Sequence, residues 1–369
     1  MSERGDAMDV FLTASGWGDA KRFPLPGDAS TRRYVRVVRG DRTAMLMDQP
    51  QTAETPGAPA DATPEQRRAL GYNAVARLAS GDVGRFIAVA NFLRREGLSA
   101  PEILAADPAA GFALLEDLGD DLYTDVLAQG GDEKALYAAA ADVLARLHES
   151  RAPALLPPDK PLFAYDETAQ LAEIDLLTEW FVPLAMGRAA SGDEVQEHRA
   201  LWRKALAETF AKPAVFVHRD FHAQNLLWLP ARDGVERVGL IDFQDAVAGS
   251  QAQDLMHLLE DARRDVSAEL AQATIAHYLS AMRDRGMAVD EAGFRAEMAR
   301  ASAQRNARIV GIFARLYKRD GKARYLPFLP RVWGYLNRDL EHPAMAELKA
   351  WYDRTIPMES RGMPQGVPA

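Results

Sequence analysis

Between residues 11 and 48, apolar positions come in short runs separated by turn residues, a pattern of strands rather than helices. Tyr34-Val35-Arg36-Val37-Val38 alternates polar with apolar, and Arg39-Gly40-Asp41 has turn chemistry. Thr43-Ala44-Met45-Leu46-Met47 then reads as a second, buried strand. Residues 49–64 lose large apolar side chains and gain Pro, Ala and Thr, which predicts an exposed loop. Helical spacing returns at Phe86, Val89, Ala90 and Leu93 and stops at Gly97. Two further strands are predicted at 102–105 and 112–116. After Gly119 the pattern is mostly helical. Leu127, Leu136, Ala140, Val143, Leu144 and Leu147 mark one amphipathic helix, and a Pro-rich stretch at 152–161 separates it from helix over 167–211, broken at Gly187 and Gly192. Residues 252–353 are helical again, and only 215–217 and 238–241 look strand-like between. A strand-rich beginning and a helical remainder predict an α+β protein, with a small lobe at 1–117 and a large lobe at 118–369.

Composition narrows the chemistry. The 369 residues contain no cysteine, which excludes disulfides, thiolate metal sites and thiol catalysis. A net charge of -9 argues against general affinity for nucleic acid, which depends on Lys and Arg neutralising phosphates. The N-terminal residues lack the apolar run of a signal peptide and no later stretch approaches a membrane span, so a cytoplasmic protein with no membrane partner is expected by elimination.

The densest chemistry lies at Val215-Phe216-Val217-His218-Arg219-Asp220-Phe221-His222-Ala223-Gln224-Asn225, followed by an apolar strand ending in Asp242-Phe243-Gln244-Asp245. Phosphoryl transfer needs a carboxylate to orient and deprotonate the attacking hydroxyl, and oxygen ligands to hold Mg2+ against a triphosphate. Asp220 suits the first role, and Asn225 with Asp242 the second. A strand-loop-strand hairpin is expected to carry all three. His218 is expected to pack and hydrogen-bond beneath the loop. His222, Gln224, Gln244 and Asp245 are candidates for substrate hydroxyls. In the small lobe, Gly27-Asp28-Ala29-Ser30 has the character of a phosphate-covering turn, whose missing side chains let backbone amides approach oxyanions.

His218-Arg219-Asp220 with Asn225 resembles the kinase pattern H-R-D-x-x-x-x-N, and Asp242-Phe243 stands where D-F-G begins. No A-P-E sequence or long activation segment follows. The chain runs from Asp242 through Gly249 to Asp254 and straight into helix, which resembles the aminoglycoside phosphotransferase and choline kinase superfamily. That resemblance implies a protein-kinase-like two-lobed fold, with ATP between the lobes and the acceptor on the larger one. It further implies Asp254 bracing the catalytic loop through backbone amides, and a hinge at residues 112–119 where backbone groups of Glu116 and Leu118 meet adenine.

Kinases also place a lysine on the third strand of the small lobe, paired with a helix glutamate. Here that strand reads Thr43-Ala44-Met45-Leu46-Met47-Asp48 and the helix Phe86-Ile87-Ala88-Val89-Ala90-Asn91-Phe92. Arg32 and Arg33 are the nearest cations, either as fork-shaped phosphate ligands or as solvated turn residues. The lysine-free strand, together with Gln304-Arg305-Asn306-Ala307-Arg308 and its continuation to Leu316, resembles the bacterial anomeric kinases of N-acetylmuramate and N-acetylglucosamine. The similarity covers residues 9–354. It implies phosphorylation of the sugar C1 hydroxyl with ATP and Mg2+, in recycling of cell-wall sugars. Arg305 and Arg308 then become candidates for the lactyl carboxylate of N-acetylmuramate, or they belong to a solvated helix face. The rival readings are a kinase for another small alcohol, such as an aminoglycoside or choline, and an inert nucleotide-binding pseudokinase.

Overall fold

The computed structural model describes residues 3–26, 32–50, 57–78 and 81–364. Along the chain come α1 (Glu3–Ala14), β1 (Lys21–Pro24), β2 (Arg33–Arg39), β3 (Arg42–Asp48), α2 (Pro64–Leu70), α3 (Val83–Arg95), β4 (Ile103–Asp107) and β5 (Phe112–Glu116). Then follow α4 (Tyr123–Ala128), α5 (Glu133–Leu147), β6 (Leu155–Leu156), β7 (Lys160–Pro161), α6 (Glu167–Leu176), α7 (Val182–Met186) and α8 (Gly192–Phe210). The site-bearing part comprises β8 (Val215–Val217), β9 (Leu226–Trp228), β10 (Val238–Leu240), β11 (Val247–Gly249) and α9 (Gln253–Leu259). Helices α10 (Ala268–Asp284), α11 (Glu291–Asp320), α12 (Leu329–Leu340) and α13 (Ala346–Thr355) end the chain. Among the described residues no helix is long and apolar enough to cross a membrane.

The chain forms two compact units. The first comprises Met1–Arg146, Pro153–Phe163 and Ala223–Ala246, and the second Leu147–Ala152, Ala164–His222 and Val247–Ala369.

In the first unit, five antiparallel strands lie in the order β1-β2-β3-β5-β4. The alternation in β2 buries Val35 and Val37 on one face, and both faces of β3 are covered, with Ala44, Leu46 and Met47 fully buried. The expectation of strands from residue 11 fails at its start. Glu3–Ala14 is a helix whose Phe11 and Leu12, with Trp17, cover Val35, Val37, Leu46, Phe112 and Leu114. Burying each such side chain contributes roughly 1.5–3 kcal/mol. Gly111 (φ +77°) turns the chain into β5, and a Cβ there would stand 2.2 Å from the Gln49 carbonyl oxygen. Of the predicted loop at 49–64, residues 57–63 lack regular structure, 51–56 lie outside the described residues, and Gln49 is buried.

The single hairpin expected around the site is two separate ladders. Strand β9 pairs with β10 inside the first unit, Leu226 opposite Leu240. Strand β8 pairs with β11 inside the second, Val217 opposite Val247. Three-residue strands carry too little pattern to reveal their partners.

The second unit is helical and centred on the 30-residue α11, which packs against α6, α12 and a π-helical turn at Leu177–Phe181. Phe181, Trp202, Trp333, Trp351 and Tyr352 form the bulk of its core. Gly187 ends α7 in the left-handed conformation, as a helix stop should. Gly192 instead begins α8, where Ser191 and Glu194 form a capping box.

Candidate active site

Val215–Val217 is fully buried, and the polar loop behind it depends on one carboxylate. Asp254, in the first turn of α9, accepts the backbone N–H groups of His218 (2.6 Å) and Arg219 (2.9 Å). Burial pushes its carboxyl up to about 7, against the pull of those two amides. Arg219 takes a left-handed backbone (φ +74°), uncommon for a residue with a side chain. Its buried guanidinium donates to Glu173 (2.8 Å) and lies over the Tyr165 ring (4.8 Å). Asp220 follows, half-buried, its N–H donating to His218 Nδ1 (3.3 Å) while its carbonyl accepts the N–H of His222 (3.1 Å). His218 is wholly buried and meets Phe221 edge to face at 5.7 Å. The same unit gathers Arg305, Arg308 and His257. Arg305 is buried, donates to the Glu260 carbonyl (2.7 Å), and its charge acts on Asp220. Arg308 is half-buried and pairs with Glu173 at 3.4 Å. Burial and the neighbouring Arg305, Arg308, His222 and Arg219 hold the His257 imidazole well below its usual range, so it is neutral.

The first unit holds the remaining polar residues. Asn225 closes a short 3-10 turn (Ala223–Asn225), and its carbonyl accepts the N–H of Ile241 (3.2 Å). Asp242 follows β10 in a left-handed conformation (φ +61°), with its side chain 41% exposed. Asp242 Oδ1 accepts from Arg32 Nη2 (2.8 Å) and from Gln244 Nε2 (3.0 Å). Arg32 Nη1 donates to Gln244 Oε1 (2.5 Å), which closes a three-residue ring of bonds. Of the two candidate arginines, Arg32 is the buried one and Arg33 points out at the start of β2. Asp245 accepts from Arg77 Nε (2.6 Å) through Oδ2, while its buried Oδ1 has no hydrogen-bond partner among the described residues. Gln224 is exposed and His222 half-buried. At the predicted hinge, the Glu116 N–H is committed to the Glu102 carbonyl (2.8 Å), so it is not available to adenine, and the Glu116 carboxylate pairs with Arg232 (2.5 Å). Leu118 lies just past β5, half-buried. Gly27, Asp28, Ala29 and Ser30 lie outside the described residues.

A divalent cation suits part of this arrangement. Among the described residues no group of three or more His, Asp or Glu could hold a metal ion unaided. Asp242 and Asn225 are nevertheless a hard oxygen pair, and Asp242 carries a cation in the form of Arg32. Two protein oxygens with the rest from phosphate and water is the usual set for Mg2+.

Sequence reasoning missed Glu173, Tyr165, Arg77 and Arg85. Glu173 accepts from Arg219, from Tyr165 Oη and from Gln304 Nε2, yet along the chain it is one acid among many in a helix.

The phosphotransferase enzyme family model matches residues 23–289. The chain is 49% identical to an N-acetylmuramate/N-acetylglucosamine kinase of Caulobacter vibrioides, over 98% of this chain and 99% of that one. It is 32% identical to a protein of the same name from Pseudomonas aeruginosa, over 92% and 91%. Among solved structures it resembles a microcompartment-associated aminopropanol kinase (TM-score 0.60, 15% identity, 91% and 98% covered). It also resembles a choline kinase from Streptococcus pneumoniae (TM-score 0.57, 14% identity, 94% and 99% covered). At those identities the likeness concerns the fold, a strand-rich beginning and a helical remainder of protein-kinase type.

Proposed function

Because this chain belongs to the phosphotransferase enzyme family, and is therefore a small-molecule kinase with ATP as phosphate donor, we propose that it phosphorylates the anomeric hydroxyl of N-acetylmuramate or N-acetylglucosamine. The observation that carries the reading is the 49% identity, over nearly the whole of both chains, to a relative bearing that activity's name.

The residues divide the work. The Asp220 carboxylate accepts the C1 hydroxyl proton as that oxygen bonds to the γ-phosphorus and the bond from phosphorus to the β-bridging oxygen breaks. Asp254 fixes the backbone on which Asp220 stands. Asn225 and Asp242 hold Mg2+, which neutralises charge on the triphosphate. Arg32 is the cation for the phosphates in place of a strand lysine, and the Glu116 carbonyl, the Leu118 backbone and residues 27–30 serve the nucleotide. Asp245 Oδ1, an acceptor with no donor among the described residues, suits a substrate hydroxyl. His222, Gln224 and Gln244 are the further candidates for sugar hydroxyls. Arg308, half-buried, suits a lactyl carboxylate, while Arg305 acts on Asp220 through its charge.

An ATP-consumption assay over amino sugars, choline and aminoglycosides tests the reading. Turnover with N-acetylmuramate or N-acetylglucosamine and not with the cationic acceptors supports it. Turnover with cationic acceptors alone overturns the substrate assignment.

A further inference from the structure

Helix α3, where a kinase carries the glutamate that pairs with its strand lysine, presents Arg85 instead, buried to 4% exposure. Each terminal of its guanidinium fork donates to a backbone carbonyl. Nε reaches Gln244 (3.0 Å), Nη2 reaches Ala246 (2.6 Å) and Nη1 reaches Pro161 (2.9 Å). The group also lies over the Phe163 ring at 5.0 Å. Two of the three acceptors belong to the short loop that begins at Asp242.

Other side chains hold the same loop. Phe86, the next residue of α3, stacks on Phe243 at 4.8 Å and 28°. Arg77, in a π-helical turn (Asn73–Arg77), donates to Asp245. The Ala246 N–H closes the loop onto the Phe243 carbonyl (3.0 Å). What this fastening preserves is the left-handed backbone of Asp242, at φ +61°. A residue with a side chain keeps that conformation only where its surroundings over-determine it.

We propose that Arg85 is a positioning residue for the metal carboxylate, a guanidinium clamp on the backbone of the metal-binding loop from the helix where a kinase carries its glutamate. It touches neither metal nor substrate. It fixes the direction in which Asp242 points, and so sets the affinity for the divalent cation. The inference rests on Asp242 being a metal ligand. A planar fork is required, because a lysine ammonium is a single point donor and cannot serve three carbonyls spread around it.

The test is Mn2+ binding to the full-length protein, read by electron paramagnetic resonance of free Mn2+ in the presence of a non-hydrolysable ATP analogue. Arg85→Met keeps the apolar stem and removes all three donors, and Arg85→Lys keeps the charge. Removing a residue that orients a metal ligand typically weakens binding by about 10- to 100-fold. Both variants are expected to lose Mn2+ affinity by about that factor, with the Mg2+ dependence of turnover displaced in step. If Arg85→Met does not fold, Arg85→Lys decides alone. Wild-type Mn2+ affinity in folded Arg85→Met or in Arg85→Lys overturns the clamp. Asp242→Ala separates this outcome from failure of the underlying assignment: unchanged Mn2+ affinity there removes Asp242 as a ligand, and the clamp with it.

Discussion

His198, wholly buried in the helical unit, accepts the indole N–H of Trp202 at Nε2 (2.9 Å). Indole nitrogen only donates, so Nε2 is unprotonated and the ring proton sits on Nδ1. Protonating the ring would set two N–H groups against each other, and burial with the nearby Arg199 holds the pKa down at about 3. His148, also buried, is held at about 3 by burial. Both folded-state values lie below the ordinary 6.5. Their contribution to stability is therefore complete above about pH 6.5 and is lost as pH falls toward 3, because these two imidazoles take up protons in the unfolded chain and not in the folded one across that window. His198→Gln should remove about one proton from the pH dependence of the unfolding midpoint between pH 7 and 4. A His198 ring signal titrating near pH 6.5 in the folded protein contradicts this. Residue identity alone gave no sign of it. Asp220, Asn225, Asp242 and Asp254, by contrast, stand out in the sequence as candidates, because phosphoryl transfer restricts both residue type and order. Asp220→Asn should lower turnover by about 100-fold or more with ATP binding nearly intact, since an amide accepts no proton. Retention of more than about a tenth of wild-type turnover in that variant excludes Asp220 as the base.

At the scale of elements, legibility followed length and pattern. Strands β2 and β3 were visible because alternation and a continuous apolar run state which faces are covered. Helix α1 was not, since its buried side chains are concentrated at Phe11 and Leu12, which look equally like the start of a strand. The ladders β8–β11 and β9–β10 pair segments of three residues, and nothing local distinguishes them from one hairpin. The basic run on α11 shows the same limit. Arg305 faces inward and Lys318 and Arg319 face solvent, a division made by the helices packed around α11. Gly311 records how closely they pack. A Cβ there would stand 2.4 Å from the backbone carbon of Leu176 and 2.6 Å from the nitrogen of Leu177, where α6 gives way to the π-helical turn. Backbone atoms cannot rotate aside, so Gly311→Ala should destabilise the protein by about 1–3 kcal/mol or more. A melting temperature equal to wild type shows that α11 and α6 are less tightly apposed.

Across the whole molecule, the family resemblance spans nearly all of the chain and is matched by relatives at 49% and 32% identity. The division into compact units was harder to foresee. Asp220 belongs to the second unit and Asn225 and Asp242 to the first, because residues 223–246 cluster with the strand-rich part despite their late place in the chain. Long-range contact decides such membership, and linear order does not. The molecule is acidic overall at -9, so any attraction for a triphosphate is local. The proposed acceptor offers a chemical counterpart to the lysine-free strand β3. An anomeric hydroxyl is more acidic than an ordinary alcohol, so under the proposed function Asp220 would need less help to remove its proton. That makes the site of phosphorylation on the sugar the decisive observable. Phosphorus and proton NMR of the product made from N-acetylglucosamine should show the phosphate coupled to the anomeric proton, and the methyl glycoside blocked at C1 should be inert. Phosphate at another carbon, or turnover of the methyl glycoside, contradicts the account.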